Sequence, residues 1–311
     1  MGNADRFQSY SRRDVLRFGV SAGLIGALPG LATADTSIRV RTIPVSGEQL
    51  PVIGLGTSRV FDVGEEAAER DPCRDVLRGL LAAGGSVLDS SPMYRRAESV
   101  SGDLAADLDV TDRVFWATKV WADGAEAGVE QMQKSLNLFR TDQIDLMQVH
   151  NLRDWRAHMP ALREWQEQER IRYLGITHSR SAAFEEVETV ISQTKLDFVQ
   201  LNYSLGEREA EGRLLPLCAD KGIAVLVNRP FMKGALFKKV GAAPLPDWAA
   251  DFDVTTWGQF FLKFILAHPT VTCVIPATRK PGHMIDNLAA GFGSLPDEKQ
   301  RQAMKDYFSA I

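Results

Sequence analysis

Four ionisable side chains stand at or just beyond the ends of apolar runs of strand length. Asp89 closes the run "SVLD", and Tyr94 follows five residues later. Lys119 lies near the end of "RVFWATKV", and His150 closes "IDLMQVH". If these runs are neighbouring parallel strands, the four side chains meet at one edge of a sheet.

These residue types together suit the donation of a proton to an oxygen atom. A free tyrosine is a poor acid near neutral pH, because its pKa is about 10. A lysine ammonium beside the phenol would lower that pKa, and a carboxylate would hold the lysine charged. A neutral histidine could donate a hydrogen bond to a carbonyl oxygen. Each residue alone is more often a packing or solvated side chain, so the convergence of all four is what indicates a catalytic site.

The elements that must position these side chains alternate between strand and helix patterns. The apolar runs do not alternate with polar residues, as expected of parallel strands that are buried on both faces. After a first strand that ends near Gly56, they lie at 86–89, 113–120, 144–150, 173–177, 198–202, 223–228 and 271–276. Helical patterns follow them at roughly 94–109, 125–140, 155–170, 181–193, 207–221, 256–267 and 281–290, with a last one at 296–309.

Eight strands, each followed by a helix, predict a (β/α)8 TIM barrel, with an N-terminal hairpin around Ser46–Gly47 and an extra C-terminal helix. The chemistry of such a barrel lies at the carboxyl ends of its strands. A doubly wound sheet would place G-x-G-x-x-G after the first strand, but "GLGTSRVF" departs from it and no Walker loop appears.

Two local features are expected within this barrel. The first helix, "EEAAERDPCRDVLRGLLAAG", should break near Pro72. The segment 235–254, with Trp248 and Phe252, could form a partial lid over the site.

Nearly the whole chain after the first 40 residues resembles the aldo-keto reductases. Asp89 and the stretch "SPMYRRAESVSG" that follows it after one serine are similar to the family's D-x-A-x-x-Y-G-x-E-x-x-x-G pattern, with Arg95 in place of the glycine after the tyrosine. The order Asp, Tyr, Lys, His also matches the family's catalytic tetrad. The resemblance implies that Tyr94 is the general acid and that Lys119 tunes its pKa. It further implies that Asp89 is the partner of Lys119 and that His150 orients the carbonyl group.

The resemblance also implies a nicotinamide cofactor, NADP(H) rather than NAD. "GLGT" would place Gly56 and Thr57 beside it. "VIPATRKPGHMIDNLAA" is similar to the family's phosphate- and adenine-binding segment, and its basic residues precede a helix start at Pro281 that could bind an anion. His283 stands where the family often has arginine. The implied contacts in this segment are Thr278, Arg279, Lys280, His283, Asp286 and Asn287.

Further cofactor contacts are implied after the fifth and sixth strands. Thr177 and His178 replace the usual Ser-Asn pair that holds the nicotinamide amide, and both can still form hydrogen bonds. Gln200 matches the third contact to that amide.

After the seventh strand the sequence departs from the family pattern. Asn228 stands where a tyrosine usually stacks on the nicotinamide, so stacking is expected from Phe231. Arg229 replaces a common serine and could reach the pyrophosphate. Trp121 and Trp155 are the expected substrate-binding residues, and they favour a hydrophobic or aromatic carbonyl compound over a strongly anionic one.

The first 34 residues read as a targeting segment. "SRRDVLRFGVSAGLIGALPGLATA" has adjacent arginines, a modest glycine-rich apolar core and an A-x-A site at its end. It resembles a twin-arginine signal, which implies that the protein meets the twin-arginine export machinery and passes from the cytoplasm to the periplasm. The core is too short and too rich in glycine for a stable membrane span. The predicted domains are therefore a signal peptide at 1–34 and a barrel at 35–311. Whether the signal is cleaved or is retained as an anchor stays open.

Composition excludes several other classes of protein. The formal net charge is −4 and no basic stripe appears, so no nucleic-acid partner is expected. Cys73, Cys218 and Cys273 lie far apart without zinc-site spacing or a C-x-x-C motif, so no metal site is expected. No long exposed apolar stripe calls for an obligate partner, and a monomer is the default expectation.

Two alternatives to a reductase of aldehydes or ketones remain at this stage. One is a non-catalytic barrel that senses a nucleotide or regulates a partner, which the changes at Asn228 and Thr177–His178 favour. The other is a barrel enzyme acting on phosphate sugars, which would need a different set of strand-end residues.

Overall fold

The computed structural model describes residues 37–311, and its first element is the predicted hairpin. β1 (Val40–Thr42) pairs antiparallel with β2 (Gln49–Pro51). Gly47 in the connecting turn has a φ of +79°, a backbone conformation that glycine adopts without strain. The predicted signal peptide at 1–34 lies outside the described residues and stays a prediction.

Eight parallel strands form one sheet that curls into the predicted (β/α)8 barrel. They are β3 (Leu55–Gly56), β4 (Val87–Asp89), β5 (Phe115–Val120), β6 (Ile144–His150), β7 (Ile171–His178), β8 (Phe198–Asn202), β9 (Ala224–Asn228) and β10 (Val271–Val274). Each strand pairs with the next one along the chain. Parallel bridges from Ile53 to Val274 and from Gly56 to Ala277 join the last strand to the first and close the barrel.

Helices surround the sheet and bury its outer face. They are α1 (Ala67–Ala82), α2 (Ala97–Asp107), α3 (Ala125–Phe139), α4 (Trp155–Glu167), α5 (Phe184–Gln193), α6 (Leu214–Lys221), α7 (Ala235–Val240), α8 (Trp257–Leu266), α9 (Pro281–Ala289) and α10 (Glu298–Ala310). Short 3₁₀ helices lie at Pro92–Tyr94, Thr111–Arg113, Ser181–Ala183, Glu209–Glu211, Met232–Gly234 and Asp247–Phe252. α10 is the predicted extra helix, and Asp297 and Gln300 form a capping box at its start. Among the described residues, no helix combines the length and the apolar character that crossing a membrane requires.

The hairpin closes the amino-terminal end of the barrel. Ile43 and Leu50 from the hairpin pack with Phe115, Tyr173 and Phe198, which stand near the starts of their strands, and all five are buried. Burial of each large apolar side chain contributes about 1.5–3 kcal/mol relative to exposure. This end of the barrel is therefore filled by side chains, and the opposite end, at the carboxyl ends of the strands, is left for a site.

One local prediction is wrong, and a second one is not decided by the packing. α1 runs through Pro72 without ending there, because a proline in the second turn removes one backbone hydrogen bond while Cys73 and the residues after it pack into the core. The segment 235–254 holds α7 and a 3₁₀ helix, and its role as a partial lid stays a prediction. Trp248 and Phe252 pack on Phe260 with ring centroids 5.9 and 6.4 Å away.

The strand register brings the predicted site residues to one end of the barrel. Lys119 on β5 pairs with Gln148 on β6. His150 at the end of β6 pairs with Thr177 on β7, which pairs in turn with Gln200 on β8. These pairings carry the side chains of four neighbouring strands to a common edge.

Candidate active site

Lys119 and Asp89 form a buried ion pair at the floor of the site. Lys119 Nζ lies 2.7 Å from Asp89 Oδ2 and donates a second hydrogen bond, of 2.6 Å, to the Ser90 carbonyl. Burial by itself would lower the pKa of Lys119, but the charge of the Asp89 carboxylate and its hydrogen bond to the ammonium raise it above its ordinary value. The ammonium therefore stays charged although no part of this side chain reaches solvent.

The carboxylate of Asp89 is held from all sides. Gln200 Nε2 donates to Asp89 Oδ1 at 2.8 Å, and Gln148 Nε2 donates to the same atom at 3.3 Å. Thr57 supports the backbone of Asp89, because its amide and its hydroxyl both donate to the Asp89 carbonyl. The ion pair is thus fixed in orientation before any ligand binds.

Tyr94 stands directly above this pair. It ends the 3₁₀ helix Pro92–Tyr94, and Lys119 Nζ lies 5.3 Å from the centre of its ring. Burial raises the pKa of the Tyr94 hydroxyl, and the Lys119 ammonium opposes that rise. The predicted lowering by Lys119 is present as a contribution but is outweighed by burial, so the phenol carries its proton at neutral pH.

His150 faces Tyr94 across the site. The two rings meet edge to face with centroids 6.0 Å apart. Burial, followed by the charges of Lys119 and His178, lowers the pKa of His150 to about 3. The imidazole is therefore neutral at physiological pH and can donate a single N–H to a ligand, as the sequence predicted.

A cavity of about 1090 Å³ opens over these residues at the carboxyl ends of the strands. Its volume suits a ligand larger than most drug-sized molecules. Most of the predicted site residues line it together, from the tetrad to the start of α9. They are Gly56, Asp89, Tyr94, His150, Thr177, Gln200, Asn228, Arg229, Phe231, Thr278, His283, Asp286 and Asn287.

The other predicted residues lie behind or beside the cavity. Lys119 and Thr57 are beneath its floor and act through Asp89. His178 is half-buried and accepts a hydrogen bond from the Arg180 amide. Arg279 and Lys280 are exposed just before α9.

Neither predicted substrate-binding tryptophan is among the residues that line the cavity. The Trp121 ring lies 6.2 Å from the His150 ring, but the Arg153 guanidinium covers it at 4.6 Å. Trp155 starts α4, where Arg156 stacks on it at 4.4 Å. Each tryptophan is paired with a neighbouring arginine outside the cavity.

Part of the cavity lining combines an amide side chain with cationic side chains. Asn228 Oδ1 is buried and has no hydrogen-bond partner within the described chain, while its amide nitrogen contacts Gln200 at 3.3 Å. Arg229 donates to Ser179 Oγ at 3.0 Å, and Arg180 and Lys233 add positive charge along the same wall. This set of groups suits a ligand that carries both an amide and phosphate groups.

The far end of the cavity is shaped by the contact between α8 and α9. The Asp286 carboxylate accepts hydrogen bonds from Thr256 Oγ1 at 3.0 Å and Gln259 Nε2 at 2.8 Å. A Cβ atom added at Gly258 would come within 2.8 Å of Asp286 Oδ2, so a larger residue there would disturb this contact. Asp286 is thus fixed by the protein itself and presents a defined edge to a ligand.

Several residues of this site were not predicted from the sequence. Ser58 contacts the Tyr94 hydroxyl, Gln148 holds Asp89, and Ser91 lies 2.9 Å from a ring nitrogen of His150. Gln148 could have been found, because it precedes His150 by two residues on one strand and therefore shares its face. Met93 in the 3₁₀ helix Pro92–Tyr94 also lines the cavity, as do Arg59, Arg95 and Asn151, which lie outside the named helices and strands.

Comparison with known proteins gives one consistent result. The sequence model of the Aldo/keto reductase family matches residues 52–305. Methylglyoxal reductase YeaE of Escherichia coli is 26% identical over 262 residues, covering 80% of this chain and 88% of that protein. The NADH-specific methylglyoxal reductase of the same organism is 29% identical over 250 residues, covering 68% and 73%.

Solved structures agree on the architecture. An aldo/keto reductase from Klebsiella pneumoniae, solved in complex with NADP and acetate, superimposes with a TM-score of 0.69. The match covers 88% of this chain and 95% of that protein at 24% sequence identity. At this identity the likeness establishes the barrel fold.

Proposed function

Because the chain belongs to the aldo/keto reductase family, we propose that it is an NADP(H)-dependent oxidoreductase that reduces aldehydes or ketones to alcohols, or runs the reverse reaction. One observation carries this proposal. A phenol, a neutral imidazole and a buried lysine–carboxylate pair converge on one wall of a single cavity.

The roles of the four residues follow from their geometry. Tyr94 holds the proton that the carbonyl oxygen receives, since its phenol is protonated at neutral pH. Lys119 stabilises the phenolate that remains, because its charge lies beneath the ring. Asp89 keeps the ammonium in place. His150 donates its N–H to the carbonyl oxygen and so orients the substrate toward Tyr94.

A bound nicotinamide nucleotide would supply the hydride. Gln200, Asn228 and Thr177 would hold its amide, and Arg229 would approach its pyrophosphate. NADP(H) is proposed over NAD because Arg279 and Lys280 stand exposed just before α9, where a ribose 2′-phosphate would bind. The Klebsiella protein was solved with NADP, whereas one E. coli relative is named NADH-specific, so both nucleotides belong in the test.

The substrate proposed is a small carbonyl compound. Two of the relatives are named methylglyoxal reductases. The rim beside Tyr94 is formed by Arg59, Met93 and Arg95 rather than by the two tryptophans. This rim does not favour aromatic over small polar substrates, so methylglyoxal and an aromatic aldehyde should be compared.

Export is proposed on the twin-arginine pattern of the first 34 residues alone. Replacing Arg12 and Arg13 by lysine should keep the protein in the cytoplasm, whereas the unchanged chain should appear in the periplasm. Fractionation of cells that express the two versions measures this directly. Equal distribution of both versions would contradict the proposal.

The experiment that tests the function measures the rates of NADPH and NADH oxidation by the barrel with methylglyoxal or benzaldehyde, with Tyr94→Phe beside it. Loss of a positioned general acid should slow turnover by about 10²–10⁴. The NADPH dissociation constant, measured by fluorescence, should be the same in both proteins. Equal rates in the two proteins would refute the role of Tyr94.

The non-catalytic nucleotide-sensing barrel is a second candidate, favoured by Asn228, which stands where a tyrosine usually stacks on the nicotinamide. It predicts tight NADPH binding without turnover of any carbonyl compound. The same two measurements therefore separate the candidates.

A further inference from the structure

Ser91 makes two hydrogen bonds with one hydroxyl. Its oxygen lies 2.9 Å from His150 Nδ1, and it accepts a hydrogen bond of 3.2 Å from the Met93 amide. Ser91 is fully buried and His150 is 6% exposed. Water therefore has little access to this contact, and the hydroxyl must be satisfied by protein atoms.

The position of the hydroxyl hydrogen decides the state of the imidazole. A serine hydroxyl has one hydrogen, and its oxygen already accepts the Met93 N–H. Among the described residues, His150 Nδ1 is the acceptor within reach of that hydrogen. If Nδ1 carried its own proton instead, the serine hydrogen would be buried without a partner, which is unfavourable.

We propose that Ser91 is a positioning residue that holds His150 in the tautomer with its proton on Nε2. Nδ1 is then occupied by Ser91, and the Nε2–H is the donor that remains for a carbonyl oxygen in the cavity. The inference deepens the proposed function and rests on it for its catalytic meaning, but the tautomer is a property of the protein alone.

The Ser91 hydroxyl also connects Tyr94 with His150. By accepting the Met93 N–H it caps the 3₁₀ helix that ends at Tyr94. By donating to Nδ1 it fixes the imidazole whose ring meets Tyr94 edge to face. A single side chain therefore sets the placement of the phenol and the direction of the imidazole N–H.

The direct test is nuclear magnetic resonance of protein labelled with ¹⁵N at its five histidines. Long-range proton–nitrogen correlations identify the protonated ring nitrogen, and the loss of one signal set in His150→Gln assigns it. Wild type should show His150 protonated on Nε2. Ser91→Ala should shift the Nε2–H to Nδ1–H ratio by about tenfold toward Nδ1–H. A wild-type His150 protonated on Nδ1, or an unchanged ratio in Ser91→Ala, would overturn the proposal.

Two further variants separate positioning from packing. Ser91→Thr keeps the hydroxyl and should keep the Nε2–H tautomer. Ser101→Ala removes an equally buried hydroxyl, which bonds to the Ala97 carbonyl at 2.6 Å and does not contact His150. It should leave the histidine spectrum unchanged.

Kinetics supply the second readout. In Ser91→Ala the kcat for carbonyl reduction should fall about tenfold while the KM for NADPH is unchanged, and Ser91→Thr should recover most of the loss. A raised KM for NADPH with unchanged kcat would contradict the positioning role. If wild type turned over no carbonyl compound, the proposed function would fail while the spectrum would still decide the tautomer.

Discussion

Two lysines of this barrel are fully buried, and they are held in opposite ways. Lys119 donates to a carboxylate, Asp89, and to one backbone carbonyl. Lys263 on α8 donates to three backbone carbonyls, those of Phe252, Phe292 and Ser294. The pKa of Lys119 is raised by the Asp89 carboxylate despite burial, whereas burial lowers the pKa of Lys263.

The difference teaches what a buried charge can be used for. The Lys119 ammonium lies beneath a phenol, so its field acts on a proton that the reaction moves. Lys263 lies beside none of the site residues that could take up or release a proton. Its hydrogen bonds connect the end of the 3₁₀ helix Asp247–Phe252 to the segment that precedes α10. Lys119 therefore serves the proposed reaction, and Lys263 stabilises the contact between segments that are distant in sequence.

The largest effect should come from Lys119→Met. Without the ammonium the phenolate loses its stabilising charge, and turnover should fall by about 10³. The variant should also lose about 3–5 kcal/mol of unfolding free energy, because Asp89 is left buried without its partner. Steady-state kinetics and urea unfolding measure the two effects.

The double variant Asp89→Asn, Lys119→Met makes this test sharper. It removes both charges, so stability should largely return while turnover stays low. Recovery of turnover in the double variant would show that the pair serves the fold rather than the reaction.

Glu98 is a buried acid near Lys119 whose protonation state should affect the stability of the fold. It accepts hydrogen bonds from Thr118 Oγ1 at 2.6 Å and Ser135 Oγ at 2.9 Å, and burial raises its pKa from 4.5 to about 7. The native state therefore holds the proton more tightly than the unfolded chain. Stability that is fully present below pH 4.5 is lost as the pH rises through about 7.

The expected size of this pH effect is about 3 kcal/mol. Urea unfolding at pH 5 and pH 8 should show it in wild type. Glu98→Gln can still accept both hydroxyl hydrogens and should be less sensitive to pH by that amount. An identical pH dependence in the two proteins would show that Glu98 does not titrate in this range.

Lys263→Met should affect stability and spare the chemistry. Three backbone carbonyls, of which the Phe252 carbonyl is buried and the other two are partly buried, lose their donor, which should cost about 2 kcal/mol of unfolding free energy. The turnover rate per folded molecule should be unchanged. Lys238→Met, at an exposed position on α7, is the matched control and should change neither quantity. A loss of turnover in Lys263→Met would break the distinction between the two lysines.

The smallest expected change in unfolding free energy comes from relieving backbone strain at Arg95, which lines the cavity. Arg95 has φ +59° and ψ −108°, a conformation that side chains rarely adopt, and its exposed ion pair with Asp62 is worth little. Arg95→Gly should therefore raise the unfolding free energy by about 1 kcal/mol. Arg96→Gly loses the same ion-pair partner from an ordinary backbone conformation and should give no gain.

The ionisable residues at the carboxyl ends of the strands could be predicted because buried parallel strands are apolar along their whole length. A lone Asp89 or His150 at the end of such a run stands out, and the barrel brings the ends together. The eight strands followed from the same pattern, whereas the hairpin was predicted from the turn around Ser46–Gly47.

Other features could not be predicted because their causes are distant in the chain. The partners of Lys263 come from segments with no shared pattern. Trp121 stacks with Arg153, which is 32 residues away in the chain, and does not line the cavity. Pro72 lies within a helix because core packing outweighs one lost hydrogen bond.

The central claim is that this barrel reduces a carbonyl group with the proton of Tyr94. The most direct test supplies NADPH deuterated at the transferable position and a set of aldehydes that includes methylglyoxal and benzaldehyde. Mass spectrometry of the products then measures deuterium in the alcohol. The account predicts one deuterium on the former carbonyl carbon, formed about 10²–10⁴ times more slowly by Tyr94→Phe. Bound NADPH with no labelled alcohol from any aldehyde, or equal label from both proteins at equal rates, would contradict it.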